Sequence, residues 1–233
     1  MANIALILSG GTGSRLGADI PKQYLKVGGK PIISYCLSTF VNNMNVDAIV
    51  VVLDKDWRPF VEEALICIDC YKDVFYADQG TTRQYSIYNG LIRMKECGVD
   101  DNDIVIIHDA ARPLCDDNLI NRCLEGCKKA DGVMPGIKVK DTIYLSEDGR
   151  HINALLERSQ LIAGQSPEAF LFGKYFNAHQ SMSTDELLKI NGSTELAYKA
   201  GLDCMVVDGD PMNFKITTPE DLINFESILM NKD

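Results

Sequence analysis

Short β-branched runs alternate with longer helix-patterned stretches along the first half of the chain, and few folds accept that rhythm. Ile4–Leu8, Ala48–Leu53, Val74–Ala77 and Asp103–Ile107 read as strands, and Ile32–Val41, Trp57–Ile66, Arg83–Met94 and Asp116–Ala130 as the helices that follow them. Strand and helix in alternation build βαβ units, which lay their strands parallel in one sheet. Strands covered on both faces carry continuous apolar runs, as in Ile104-Val105-Ile106-Ile107. The expectation is an α/β chain: a three-layer, mostly parallel twisted sheet between helices.

The rhythm breaks after Gly132. Val133–Val139 and Thr142–Leu145 read as extended, and Glu147-Asp148-Gly149 is a turn signal, so residues 138–160 are expected to form a protruding β-arm. Helical pattern returns at Leu171–Gln180 and Thr194–Ala200, with final strands at Met205–Val207 and Phe214–Thr217. Thr218 is placed to cap a last helix, with Pro219 at its first position. Neither repeat nor linker interrupts the 233 residues, which are expected to form a single domain.

The chain carries 23 Lys and Arg against 33 Asp and Glu, a formal net charge of −10. An acidic surface repels nucleic-acid phosphates, so a nucleic-acid partner is not expected, while a local basic pocket can still hold a small anion. The segment Ile4–Leu8 is too short for a signal peptide and no stretch has the length of a membrane helix, so the reading is cytoplasmic, without a membrane partner. Cys67-x2-Cys70 and Cys123-x3-Cys127 lie in apolar, helix-like surroundings with no histidine spaced to join them, and read as buried thiols.

The segment Leu8-Ser9-Gly10-Gly11-Thr12-Gly13-Ser14-Arg15-Leu16-Gly17 follows the first strand directly. Ligands bind beyond the carboxyl ends of parallel strands, and glycines let backbone N–H groups approach a phosphate. It is not a Walker A loop, because GxxxxGK[ST] is absent. It is not a dinucleotide fingerprint either: the third glycine falls one place late and no acid follows about 20 residues on. Arg15 lies in the loop, and Lys22 follows in Ile20-Pro21-Lys22-Gln23-Tyr24. Glycines and two cations on one excursion suit a triphosphate, whose transfer needs charge stabilised on the transferring group.

Leu8-x-Gly10-Gly11-x-Gly13-x-Arg15 with Pro21-Lys22-Gln23 resembles the GT-A-like sugar nucleotidyltransferases, and within them the cytidylyltransferases acting on 2-C-methyl-D-erythritol 4-phosphate or ribitol 5-phosphate. The resemblance covers nearly the whole chain. It implies a nucleotide-diphospho-sugar transferase fold, transfer of CMP from CTP to a polyol phosphate with release of pyrophosphate, Mg²⁺ or another divalent cation, and a homodimer.

The later motifs fall in the order the resemblance requires. A carboxylate at the end of the strand Asp103–Ile107, in His108-Asp109-Ala110-Ala111-Arg112-Pro113, faces the same crevice as the glycine loop; Asp109 suits either Mg²⁺ or a substrate hydroxyl. His108 reads as structural. The resemblance places Asp109 and Arg112 at the substrate, and Ser9, Gly10, Gly11, Thr12, Gly13, Gly80, Arg83 and Ser86 at the nucleotide, with Gly80 and Ser86 meeting the cytosine. It makes Arg15, Lys22 and Lys215, from Asn213-Phe214-Lys215-Ile216-Thr217, the catalytic cations. It assigns Thr142 and Arg158 to the polyol-phosphate site, with the arm exchanged between subunits, and makes Gln165-Ser166-Pro167 an architectural turn.

One motif departs from the pattern. The family carries Thr-Asp followed by Glu, Asp or Ala before its penultimate helix; here the residues are Asn191-Gly192-Ser193-Thr194-Glu195, with Ser193 or Thr194 the expected cap. His-Asp-Ala-Ala-Arg-Pro favours 2-C-methyl-D-erythritol 4-phosphate as acceptor, whereas the altered segment and Gly164-Gln165-Ser166-Pro167 lean to ribitol 5-phosphate. A glycosyltransferase of related architecture would need an Asp-x-Asp metal motif after a central strand, and Asp208-x-Asp210 comes late in the chain. A CTP-binding regulator would bind without releasing pyrophosphate.

Overall fold

The computed structural model describes residues 1–11 and 20–231. In chain order the elements are β1 (Asn3–Leu8), the short hairpin β2 (Lys26–Val27) and β3 (Lys30–Pro31), α1 (Ile32–Asn42), β4 (Ala48–Leu53), α2 (Arg58–Cys67), β5 (Asp73–Asp78), α3 (Arg83–Glu96), β6 (Ile104–Asp109) and α4 (Asp117–Gly126). There follow β7 (Gly132–Lys138), β8 (Tyr144–Leu145), β9 (Ala154–Leu155), β10 (Ile162–Gly164), β11 (Glu168–Leu171), α5 (Phe172–Ser181), α6 (Thr184–Leu187), α7 (Ser193–Lys199), β12 (Cys204–Asp208) and α8 (Pro219–Met230).

The main sheet runs β10-β7-β11-β6-β1-β4-β5, with β12 paired to β7. The half built from β6, β1, β4 and β5 is parallel, as the alternation of strand and helix requires, and β11 joins it antiparallel to both β6 and β7. Period-2 alternation sends side chains of each central strand to opposite layers. Ala5, Ile7, Ile49, Val51, Ile104 and Ile106 pack under α1, α2 and α4. Ile4, Leu6, Val50, Val52, Val105 and Ile107 pack under α3, α5 and α7. These side chains are essentially sealed from water, and each Val, Leu or Ile among them contributes roughly 1.5–3 kcal/mol of transfer free energy. A smaller core, Val27, Ile32, Ile216 and Phe225, fixes α8 and the β2–β3 hairpin against the start of α1.

Three expectations change. Phe214–Thr217 forms no strand, because its backbone is spent elsewhere: Ile216 N–H donates to the Ala111 carbonyl and the Ile216 carbonyl accepts from Lys22, while the carbonyl of Asn213 just before it accepts from Arg112. Val133–Val139 belongs to the main sheet as β7, and the hairpin that leaves the sheet is β8–β9. Cys123 and Cys127 are buried, whereas Cys67 is exposed, since it closes the outer face of α2. Among the described residues no helix is long and apolar enough to cross a membrane.

Candidate active site

The carboxyl ends of β1 and β6 and the first turn of α3 open onto one cavity of about 570 Å³. β1 delivers Gly10 and Gly11, β6 delivers Asp109, and the turn before α3 delivers Gly80, Thr81, Thr82, Arg83 and Ser86. Lys22 and Gln23 enter from a 3-10 turn at Lys22–Tyr24, and Lys215 and Thr217 from the segment before α8. A groove of about 660 Å³ between α4 and β12 is lined by Asp116, Arg122, Glu125, Lys129 and Asp210. Its charges are of mixed sign and do not converge, so it lacks the chemistry of the first cavity.

Local packing holds each wall. A side chain on Gly80 would sit 2.6 Å from the Tyr85 carbonyl carbon and 2.7 Å from Ser86 N, so only glycine lets the chain pass the start of α3 so closely. Gly80 N–H donates to Ser86 Oγ at 2.9 Å, and Thr82 caps the helix through Tyr85 N–H. Gly10 packs against Gln79, which donates to Asp54 at the end of β4. The Lys22–Tyr24 turn is tied to the glycine strand by Gln23 Nε2, which donates to the Ser9 and Gly11 carbonyls at 2.6 and 3.0 Å. Tyr24 stacks on Trp57 at 4.7 Å and shares a 2.9 Å hydrogen bond with Ser9 Oγ. Lys22 Nζ donates to the Ile216 carbonyl at 2.6 Å, which brings it beside Lys215.

The charges converge on Asp109. Lys215 Nζ lies 2.9 Å from Oδ2, Arg112 Nε 3.7 Å from Oδ2, and Arg83 Nη2 3.5 Å from Oδ1. Burial would raise this carboxyl, but Arg83, Lys215 and Arg112 outweigh it and hold Asp109 well below the usual carboxylate range. Behind it, His108 is pushed down to about 4 by burial and stays neutral, its ring nitrogens meeting the Arg112 carbonyl and Ser166 Oγ. Its role is structural.

The structure thus brings Gly10, Gly11, Lys22, Gly80, Arg83, Ser86, Asp109 and Lys215 around one space. Ser9 does not reach it: alternation turns its side chain inward to Tyr24. Arg112 also stays behind the wall, its Nη1 donating to the Asn213 carbonyl at 2.7 Å, so it braces Asp109 rather than facing the cavity. Thr142 and Arg158 lie exposed on the arm, away from the cavity, with Arg158 Nη1 donating to the Lys140 carbonyl. Thr12, Gly13 and Arg15 lie outside the described residues.

Gln79, Thr217 and Glu168 are additions to the sequence reading. Each stood in or beside a visible motif: Gln79 next to Gly80, Thr217 at the end of Asn213-Phe214-Lys215-Ile216-Thr217, and Glu168 directly after Gln165-Ser166-Pro167. Ser193 and Thr194 do not cap α7. Gly192 holds the N-cap position, and the Glu168 carboxylate accepts from Thr194 N–H and Oγ1.

Asp109 is the sole carboxylate among the described residues of the wall, and no group of three or more His, Cys, Asp or Glu side chains among them could cage a metal. One ionised carboxylate facing a phosphate-sized space fits a hard cation that takes its remaining ligands from phosphate oxygens and water.

Glycines beside a strand end, cations around an ionised carboxylate and a cavity at the carboxyl edge of a three-layer sheet define a nucleotidyltransferase. Comparison with known proteins narrows the class. The family model "IspD: 2-C-methyl-D-erythritol 4-phosphate cytidylyltransferase" matches residues 3–231, and the chain belongs to that family. It is 33% identical to the 2-C-methyl-D-erythritol 4-phosphate cytidylyltransferase of Clostridium beijerinckii, over 97% of this chain and 98% of that protein. It is 34% identical to the ribitol-5-phosphate cytidylyltransferase of Vibrio parahaemolyticus, over 97% and 95%. The crystal structure of 4-diphosphocytidyl-2C-methyl-D-erythritol synthase from Anaerococcus prevotii superposes with a TM-score of 0.82 at 25% identity, covering 98% of this chain and 96% of that one.

Proposed function

We propose that the enzyme transfers CMP from CTP to 2-C-methyl-D-erythritol 4-phosphate and releases pyrophosphate. The convergence of Lys22, Lys215 and Arg83 on a glycine-walled cavity carries this reading. The acceptor's phosphomonoester oxygen attacks the α-phosphorus of CTP; a P–O bond forms to it and the bond to the β-phosphate oxygen breaks. The phosphomonoester is already a nucleophile at neutral pH, so no proton need move. The protein aligns two polyanions and stabilises the charge that builds on the transferring and leaving oxygens. Lys22 and Lys215 meet the phosphates, Gly10 and Gly11 let the backbone approach them, and Gly80, Arg83 and Ser86 face the nucleoside. Mg²⁺ held by Asp109 and phosphate oxygens would supply further neutralisation of the triphosphate.

The enzyme works as a homodimer in which Thr142 and Arg158 of one arm serve the partner's cavity. In support, the arm exposes apolar side chains, with Tyr144 at 53%, Ile152 at 68% and Leu155 at 65% exposure, and carries both residues away from its own cavity. A cytoplasmic setting accords with eight unpaired cysteines. Ribitol 5-phosphate is the second reading, favoured by the Vibrio relative. Pyrophosphate release is measured with CTP, Mg²⁺ and one acceptor at a time. Release with 2-C-methyl-D-erythritol 4-phosphate is expected; release with ribitol 5-phosphate alone establishes the second reading, and CTP binding with release from neither rejects both.

A further inference from the structure

Glu168 is a buried carboxylate, 9% exposed at its side chain, that stands outside the cavity yet touches its wall. It begins β11 and pairs in register with Ile107, two residues before Asp109 on β6. Residues two apart on a strand share a face, so Glu168 and Asp109 emerge together on the side covered by α3 and α7. There they flank the Arg83 guanidinium: Glu168 Oε2 is 3.4 Å and Asp109 Oδ1 3.5 Å from Nη2. Arg83 Nη1 donates to Ser193 Oγ at 2.8 Å. The other Glu168 oxygen accepts from Thr194 N–H at 2.9 Å and Thr194 Oγ1 at 2.8 Å, at the start of a helix whose own N-cap offers no side chain.

We propose that Glu168 is a positioning residue: its carboxylate clamps the start of α7 to β11 and, from that anchor, fixes the Arg83 guanidinium on the nucleotide wall. Two features support a role beyond packing. Without Glu168, Asp109 would be the remaining carboxylate on Arg83 and would be drawn from Lys215, which it also holds at 2.9 Å. And Ser193, the group that takes the other Arg83 nitrogen, sits beside the residue that Glu168 anchors, so one carboxylate sets both ends of the guanidinium's cradle. Glu168 needs no contact with substrate to act this way.

The inference rests on Arg83 belonging to the nucleotide site, and the test uses CTP affinity so that it stands apart from the choice of acceptor. Calorimetric CTP binding is measured for the wild type, Glu168→Gln, Arg83→Gln and the double variant, with thermal unfolding of each. Glu168→Gln is expected to weaken CTP binding about tenfold when Arg83 is present and less than about twofold when it is not, the coupling expected of residues in one network. Wild-type affinity in Glu168→Gln, or equal losses in both backgrounds, overturns the proposal. Thr194→Val removes one of the two bonds to the Glu168 oxygen and keeps its charge. It should weaken CTP binding in the same direction by a smaller factor, and an unchanged affinity there counts against the clamp if Glu168→Gln fails to fold. Turnover by the wild type, assayed separately, decides the reaction; loss of CTP binding only through Arg83 decides Glu168.

Discussion

Lys22 reaches the cavity from a turn of three residues locked by Gln23 and Tyr24, so its side chain can be removed with little disturbance of the wall. Lys22→Ala deletes the hydrogen bond to the Ile216 carbonyl, worth about 1 kcal/mol. It also deletes a cation of the cavity wall that the proposed reaction uses against developing phosphate charge, where loss of a single donor costs about a hundredfold or more in turnover. Steady-state pyrophosphate release should fall by that factor while the melting temperature moves only slightly; turnover near the wild-type value would remove Lys22 from the reaction. Gly80→Ala tests the opposite kind of residue. Its Cβ would strike the backbone of Tyr85 and Ser86, which cannot yield without opening the start of α3. A loss of roughly 1–3 kcal/mol in urea unfolding is expected, together with weaker CTP binding. Residues of both kinds were legible in the sequence, because glycine beside a strand end and lysine in a proline-led turn carry chemistry in their type. Arg112 and Ser9 share the motif letters of their neighbours, yet their side chains turn behind the wall, a direction that pattern alone does not set. Glu168 was illegible for a different reason: its partners lie 85 and 26 residues away along the chain, and only the antiparallel entry of β11 brings them together.

At the level of elements, the arm is the piece whose proposed chemistry depends on a second copy of the chain. Its two strands, β8 and β9, are two residues each, and such a hairpin is marginal in water without something to cover it. Leu155→Asp, placed on its exposed apolar surface, should shift the protein from dimer to monomer in light scattering after size exclusion and depress turnover with little change in CTP affinity. A dimer that persists in this variant would detach the arm from assembly. The carboxyl-terminal element depends on a local device instead. Thr218 and Asp221 form a capping box at the start of α8, and Thr218→Ala should cost about 1 kcal/mol in thermal unfolding. That cap was readable from Thr218-Pro219-Glu220-Asp221, as β4 was from Ala48–Leu53, because each signal is local and complete within its own residues. The failures are those of context. β11 is four residues opening with a charged side chain, and nothing local marks it as a strand; Phe214–Thr217 has strand-like composition but spends the Ile216 backbone on Ala111 and Lys22.

Across the whole molecule, two buried histidines couple stability to acid. His108 packs against Phe40 and faces Asp109, Arg112 and Lys215, and burial pushes it down to about 4. His179 lies between Tyr88 and Tyr175 with neither ring nitrogen hydrogen-bonded, and burial pushes it down to about 3. In the unfolded chain both titrate near the ordinary value of 6.5. Above that pH they are neutral in both states and the stability they permit is fully present. As the pH falls below 6.5 only the unfolded chain takes up protons, so the folded state loses about 1.4 kcal/mol per pH unit for each histidine, until the pH reaches the folded values. Between about pH 6.5 and 4.5 most carboxylates are charged in folded and unfolded chains alike, so the histidines dominate this window, and together they remove roughly 4 kcal/mol. That is a large share of the stability of an ordinary domain. Asp109 enters later: its lowered carboxyl stabilises the fold above the usual carboxylate range and surrenders that contribution only as the pH falls below about 3.8. Urea unfolding followed from pH 8 to pH 4.5 should therefore be flat to about 6.5 and then fall steeply. His179→Leu removes one of the two buried bases and its unpaired nitrogens, so it should halve the slope of that fall. An acid slope identical to that of the wild type would show that His179 is protonated in the folded chain, through contacts other than the two tyrosines that enclose it.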